Sequence, residues 1–277
     1  MRHGGRASAC TRLVGWRLLT RRRSTSLYKA WDRGARRWRC IKCYEDHGDA
    51  RREMAVLRAL PRDPGLVRLE GTRVRRGRLC LVLEWVPGRT LKQLLREQGP
   101  LPVDTAVEVT RSLLRSLHRL HRAGFVHGDL HVGNVLVADG PRGSVKLIDF
   151  QHAVRKGPGG RAPGVRRLGR PPAHLPPETS TGILDDRFDL YGVGFMGAAM
   201  LLGRAPRAGE IARLAATAPG AAADMPLAPA GGSEQERHRV RALWQVFARA
   251  TDPDPAARYP SARAMLAALR RAAAIAP

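Results

Sequence analysis

Three polar residues near the middle of the chain are spaced to manage phosphate. The string His127-Gly128-Asp129-Leu130-His131-Val132-Gly133-Asn134-Val135-Leu136 sets a carboxylate and a carboxamide five residues apart. Leu147-Ile148-Asp149-Phe150 adds a second carboxylate fifteen residues after Asn134. Well upstream, Arg39-Cys40-Ile41-Lys42 ends an apolar run on a cation, and Glu53 follows it by eleven positions. Phosphoryl transfer asks for charge stabilisation and alignment more than for covalent chemistry. Its metal ions need hard oxygen ligands, which Asp149 and the Asn134 side-chain oxygen provide. The acceptor hydroxyl needs a carboxylate to orient it and take its proton, and Asp129 fits. Lys42 fits the cation that holds phosphates, and Glu53 is the anion that would fix its long stem. Each residue alone has an ordinary surface reading. The order and separations of the three motifs together carry the chemical one.

These residues need elements to hold them. Residues 1–13 form a basic lead-in without pattern. Val14 to Glu45 alternates in short apolar and polar steps and reads as strands joined by turns, one of them Asp32-Arg33-Gly34. Residues 49–60 have helical spacing with Met54, Leu57 and Leu60 on one face. Strand-like runs follow at Leu66–Val74 and Leu79–Val86, around the turn Arg75-Arg76-Gly77. After Pro87-Gly88 the pattern turns helical. Thr90–Gln98 is short, and Val103–Ala123 carries a stripe of Val107, Leu113, Leu114, Leu117 and Leu120. Residues 155–177 read as a surface loop and 216–233 as a flexible Ala/Pro/Gly insert. Helices are expected from about Arg187, near 236–251 and near 260–274.

With these motifs in place, the chain resembles bacterial eukaryotic-like (Hanks-type) serine/threonine protein kinases over about residues 15–270. Further strings share the likeness. Leu81-Val82-Leu83-Glu84-Trp85-Val86-Pro87-Gly88 is similar to the adenine-binding hinge, with Leu83 as gatekeeper. Pro176-Pro177-Glu178 resembles the end of the activation segment, Asp189-Leu190-Tyr191-Gly192-Val193-Gly194 the buried helix that anchors the catalytic loop, and Asp254-Pro255-Ala256-Ala257-Arg258 the late motif whose Arg pairs with Glu178. The resemblance implies an α+β, bilobal protein-kinase-like fold. Residues 14–86 would form a small antiparallel β lobe with one helix, and 87–277 a larger, mainly helical lobe, with ATP bound between. It implies catalytic roles for Asp129, Lys42, Glu53 and His131. It implies nucleotide contacts from Lys42, Leu27, Cys40, Glu84, Val86, Asn134, Leu136 and Asp149. Mg2+ or Mn2+ would be held by Asn134 and Asp149, and a protein would be the acceptor.

The sequence departs from that family in four places. Thr20-Arg21-Arg22-Arg23-Ser24-Thr25-Ser26-Leu27 stands where a glycine-rich phosphate loop belongs, so hydroxyls and arginines replace backbone amides as donors. Gly128 replaces the Arg that would receive an activation-loop phosphate, and residues 151–177 contain no Ser, Thr or Tyr. Both absences point to an enzyme that activation-loop phosphorylation does not switch on. His131 and Pro171 stand where a Lys and a Thr are usual, and His-Gly-Asp-Leu-His is also the style of aminoglycoside, choline and glycolipid kinases. Gln151 replaces the Gly of Asp-Phe-Gly. A small-molecule kinase and a nucleotide-poor pseudokinase binding module therefore stand beside the protein-kinase reading.

Composition bounds the rest. The 277 residues are 43% hydrophobic, enough to bury a core, and the formal net charge is +25. Nearly all of that charge is arginine, spread along the whole chain. It reads either as attraction for an acidic partner or as the codon habit of a GC-rich genome. No nucleic-acid-binding signature accompanies it, and aromatics are only 5%. Cys10, Cys40, Cys43 and Cys80 read as free thiols of a reducing cytosol, since one C-x-x-C without a second pair does not make a zinc site. The apolar run Leu13–Trp16 is cut by Arg17, and Leu190–Gly203 is too short to span a bilayer, so the expected location is cytoplasmic. Nothing in the sequence fixes an oligomeric state.

Overall fold

The computed structural model describes residues 13–138, 145–163, 173–180, 182–216 and 234–274. The lead-in up to residue 12 with Cys10, Pro171, and the insert at 217–233 lie outside them. The described residues of Met1–Ala59 and Val67–Pro87 form one compact unit, and those of Leu60–Leu66 and Gly88–Pro277 another.

The first unit is a five-stranded antiparallel sheet in the order β1-β2-β3-β5-β4, built from β1 (Leu13–Arg21), β2 (Thr25–Asp32), β3 (Arg37–Tyr44), β4 (Leu69–Arg75) and β5 (Arg78–Glu84). Helix α1 (His47–Ala59) is inserted after β3. The Asp32 carboxylate closes the β2–β3 turn by accepting from the Gly34 and Ala35 amides at 3.1 Å each. Register sorts the side chains into two faces, because directly opposed residues of a ladder point the same way. Leu27 and Leu81 both pair with Lys42, and Lys29 and Leu83 both pair with Cys40. On the reverse face, Leu13, Ala30, Ile41, Cys43, Cys80 and Val82 make a core with Trp16 and Tyr28 packed against it.

Two readings of this unit need correction. Cys43 and Cys80 are joined by a disulfide, not free; only Cys40 is a free cysteine among the described residues. The two half-cystines lie 37 residues apart in sequence, yet they are opposed partners of the β3–β5 ladder. Strand register, which sequence spacing does not reveal, brings them together. In α1 the buried positions are Ala50, Glu53, Val56 and Leu57, while Met54 and Leu60 stay partly exposed. The helix is turned so that a carboxylate faces inward, a placement no apolar stripe signals.

The second unit is mainly helical. Its first elements are β6 (Gly88–Thr90), α2 (Leu91–Gln98) and α3 (Val103–Arg122). Thr90 caps α2 in a reciprocal capping box with Gln93. The expected α3 stripe is buried from Val107 to Leu120. Four short strands, β7 (Phe125–Val126), β8 (Val135–Ala138), β9 (Val145–Leu147) and β10 (Val154–Arg155), lead to β11 (Ala162–Pro163) and β12 (Ile183–Leu184). β6-β8-β9 form one small sheet, while β7–β10 and β11–β12 are two-stranded. Helices α4 (Asp186–Leu202), α5 (Glu210–Ala216), α6 (Glu234–Ala250) and α7 (Ala262–Ala273) complete it. α4 is buried on nearly every side from Phe188 to Leu202, and its one carboxylate in that stretch, Asp189, is buried with it. No described helix is long and apolar enough to cross a membrane.

Candidate active site

In the first unit, Lys42 Nζ donates to Glu53 Oε2 at 2.8 Å, with the two side chains 6% and 0% exposed. α1 begins three residues after β3 ends, so the short separation in sequence still leaves room for the helix to reach the strand. Leu27 and Cys40 share the strand face of Lys42, both partly exposed. Burial by surrounding groups raises the Cys40 thiol to about 11, opposed by the Lys42 charge and aided by that of Glu53. Cys40 is therefore a neutral wall residue and no nucleophile. Glu84 is tied to the strand beside it: its amide donates to the Arg68 carbonyl at 3.0 Å, and its carboxylate accepts from the Arg68 amide at 2.9 Å. Val86 lies two residues beyond, outside the strand. Lys29 was not expected on this face. Its Nζ sits over the rings of Trp38 (4.5 Å) and Trp85 (4.4 Å), a cation–π clasp.

The second unit holds Asp129, His131, Asn134, Leu136 and Asp149. The stretch from His127 to Asn134 has little regular structure, so its backbone must be satisfied by side chains. Asp189 on α4 does this. Its carboxylate is wholly buried and accepts from the His127 amide (2.8 Å) and the Gly128 amide (3.0 Å). A third contact, 2.8 Å, runs to His121 Nε2 on α3. Burial works to raise the Asp189 carboxyl, but the His121 hydrogen bond, the charges of His121 and His127, and the amide outweigh it and hold the group low. His121 was missed in the sequence, and its only signal was a polar ring on an otherwise apolar helix face. Gly128 has φ +74, and a Cβ there would meet the His152 carbonyl at 2.8 Å. Gly192 lets α4 approach closely, since a Cβ would meet Leu130 at 2.9 Å. The glycine at 128 is therefore a steric requirement, and an arginine does not fit this backbone.

Asn134 is fixed from two sides. Its Nδ2 donates to the Asp129 carbonyl at 2.9 Å and lies 3.5 Å from Asp129 Oδ2. Its backbone joins His131 (2.9 Å) and Ile148 (3.0 Å). With Nδ2 committed to Asp129, Oδ1 is the end left for a cation. The β8–β9 hairpin pairs Val135 with Leu147, which carries Asp149 alongside Asn134. Leu136 lies in the same hairpin, opposite Lys146. Asp149 adopts φ +67, a left-handed conformation rare for a residue with a side chain. Such strain costs about 1–3 kcal/mol and concentrates at functional sites. Phe150 behind it is fully buried against the His127 ring, centroids 5.1 Å apart. His131 Nδ1 accepts from the Gly133 amide at 2.9 Å, Nε2 lies 3.7 Å from Asp129 Oδ2, and the ring meets His174 edge-on. Burial lowers the His131 imidazole below its ordinary value, against the opposite pull of Asp129.

Beyond this loop, Arg258 clamps Glu178 with two bonds of 2.6 and 2.9 Å, the pair expected from the sequence. The arginine side chain is fully buried. A family model described as "Protein kinase domain" matches residues 24–223. The chain belongs to the protein kinase family. The match of this kinase domain starts at Ser24, just past the arginines that replace the glycine loop. The domain is 36% identical over 192 residues to serine/threonine-protein kinase PknL of Mycobacterium tuberculosis, covering 67% of this chain and 45% of that protein. It is 34% identical over 197 residues to serine/threonine-protein kinase PksC of Streptomyces coelicolor (67% and 33%). To serine/threonine-protein kinase pkn2 of Myxococcus xanthus it is 31% identical over 227 residues (80% and 27%). The kinase domain thus matches less than half the length of these curated relatives.

Proposed function

We propose that this domain is an ATP-dependent serine/threonine protein kinase that moves the γ-phosphoryl group onto a protein hydroxyl. The observation that carries the reading is the double fixing of the catalytic loop: Asp189 holds its backbone, and Asn134 Nδ2 holds the Asp129 carbonyl. The Asp129 carboxylate orients the acceptor hydroxyl and takes its proton. Lys42, steadied by Glu53, holds ATP phosphates, and Leu27, Cys40, Glu84, Val86 and Leu136 contact the rest of the nucleotide. His131, whose ring nitrogen lies 3.7 Å from the Asp129 carboxylate, stands beside it as a polar neighbour. Asn134 Oδ1 and the Asp149 carboxylate fit a hard divalent ion, Mg2+ or Mn2+, which when bound supplies charge neutralisation on the phosphate oxygens. ATP as donor agrees with a cytoplasmic location.

The Glu178–Arg258 clamp and the Asp189 anchor favour a protein acceptor over a small molecule, because they belong to the protein-kinase side of the resemblance. The absence of room for a side chain at Gly128 supports an enzyme not switched by activation-loop phosphorylation. Phosphatase treatment should leave its activity unchanged, and a clear loss would refute that reading. The main test uses labelled ATP and Mg2+ with casein or myelin basic protein, beside Asp129→Ala and Asp149→Ala. Labelled protein from the wild type alone supports the proposal. ATP turnover without labelled protein moves the acceptor to a small molecule, and no turnover with no nucleotide binding leaves a binding module.

A further inference from the structure

We propose that the reverse face of the β-sheet, opposite the face that carries Lys42, holds a binding site for a phosphate group. A cavity of about 150 Å³ is lined by Arg21, Tyr28, Cys43, Arg75, Arg76 and Arg78. Pockets for drug-sized ligands run to roughly 300–1,000 Å³, so this space is the size of a small anion. Four guanidinium groups reach it from β1, from the end of β4, from the β4–β5 turn and from the start of β5. They converge only in the folded sheet.

Most of this charge is uncompensated. Arg78 pairs with Glu45 at 2.9 Å, whereas Arg21, Arg75 and Arg76 have no carboxylate partner among the described residues. Arg75 is held instead by stacking, 4.6 Å over Trp16 and 5.2 Å over Tyr28. Stacking fixes the plane of the guanidinium and leaves its N–H edge for another acceptor. The turn is fixed as well: His47 Nε2 lies 2.7 Å from the Gly77 carbonyl. Within that turn, Arg76 has φ +51 and Gly77 φ +74. A two-residue hairpin with both central φ positive favours Asn, Asp or Gly at its first centre. An arginine there gives up turn stability and adds a cation at the cavity. Several guanidinium forks around a small space, one of them held by stacking, match the tetrahedral oxygens of a phosphate dianion better than a single carboxylate.

The site takes either free phosphate or the phosphate of a modified side chain, and the test separates the two. Phosphatase-treated full chain, in EDTA to empty cation sites, is titrated calorimetrically with inorganic phosphate and with a neutral capped phosphoserine peptide. Chloride at matched ionic strength controls for screening. Arg21→Gln with Arg76→Asn removes two cations without touching the stacked Arg75, and Asn tolerates the positive φ. Saturable binding that chloride does not reproduce, weakened about tenfold or more in the double variant, is the expected result. Tighter binding of the phosphopeptide assigns a modified side chain, and tighter binding of the ion assigns free phosphate. Equal affinity in wild type and variant, or none in either, overturns the proposal. A melting curve without phosphate shows that the variant is folded.

Discussion

The catalytic loop at residues 127–134 and the β1–β2 hairpin at residues 20–27 both stand for motifs that handle phosphate, yet they are built in opposite ways. In the loop, backbone and side chains are tied down by Asp189, Asn134 and Gly133, and His127, Gly128 and Asn134 are buried. In the hairpin, Arg21, Arg22, Arg23 and Ser24 are all exposed, and the tip is closed by a backbone bond from the Arg22 amide to the Thr25 carbonyl at 2.8 Å. Proton transfer and metal binding tolerate little positional error, so the groups proposed for them need to be held from several sides. Attraction of a polyanion needs only positive charge nearby, which long exposed arginines supply without fixed geometry. The contrast explains how a kinase domain can lack the glycine loop and still hold Asp129, Asn134 and Asp149 in place.

The contrast breaks most readily at the loop. Asp129→Ala should lower phosphotransfer by about 10²–10⁴-fold, the usual worth of a general base, read as labelled phosphate in an acceptor protein. Asp149→Ala should lose at least as much, and a variant that keeps the wild-type rate would show the loop to be idle. Next in size is Lys42→Met, which leaves Glu53 charged and fully buried. Urea unfolding should show a loss of about 3–5 kcal/mol, and adding Glu53→Gln should recover much of it, because removing both charges removes the desolvation penalty. Asp189→Asn keeps the shape but removes a charged acceptor, for an expected loss of about 1.5–3 kcal/mol together with a lower kcat. At the hairpin the expected effects are small. Arg22→Gly with Arg23→Gly should change stability by no more than about 0.5 kcal/mol and should act on the KM for ATP rather than on kcat. A large fall in kcat there would erase the distinction.

The smallest effect is a pH dependence in α5. The Arg204 hydrogen bond, partly offset by burial, holds the Glu210 carboxyl down to about 2, against an ordinary 4.5. A folded-state value below the unfolded one means that this stabilisation is full above the ordinary value and is lost as pH falls toward 2. Glu210→Gln should therefore lower the melting temperature modestly at neutral pH and flatten that acid limb, so that the variant and wild-type curves converge as pH falls toward 2.

The sequence by itself determined the family, the candidate catalytic residues and the Glu178–Arg258 pair. Those motifs are local strings whose residue types have few alternative uses at such spacing. It also determined most elements, because the α3 stripe and the strand alternation are periodic signals. Tertiary structure alone decided what depends on register and on helix rotation. It turned α1 to bury Glu53, opposed Cys43 to Cys80 across β3 and β5, and set His121 under Asp189. It also gathered four arginines from separated segments around one cavity. The physical reason is the same in each case: such neighbours are fixed by backbone hydrogen bonds and packing between distant segments, and a one-dimensional pattern carries no record of which segments will meet.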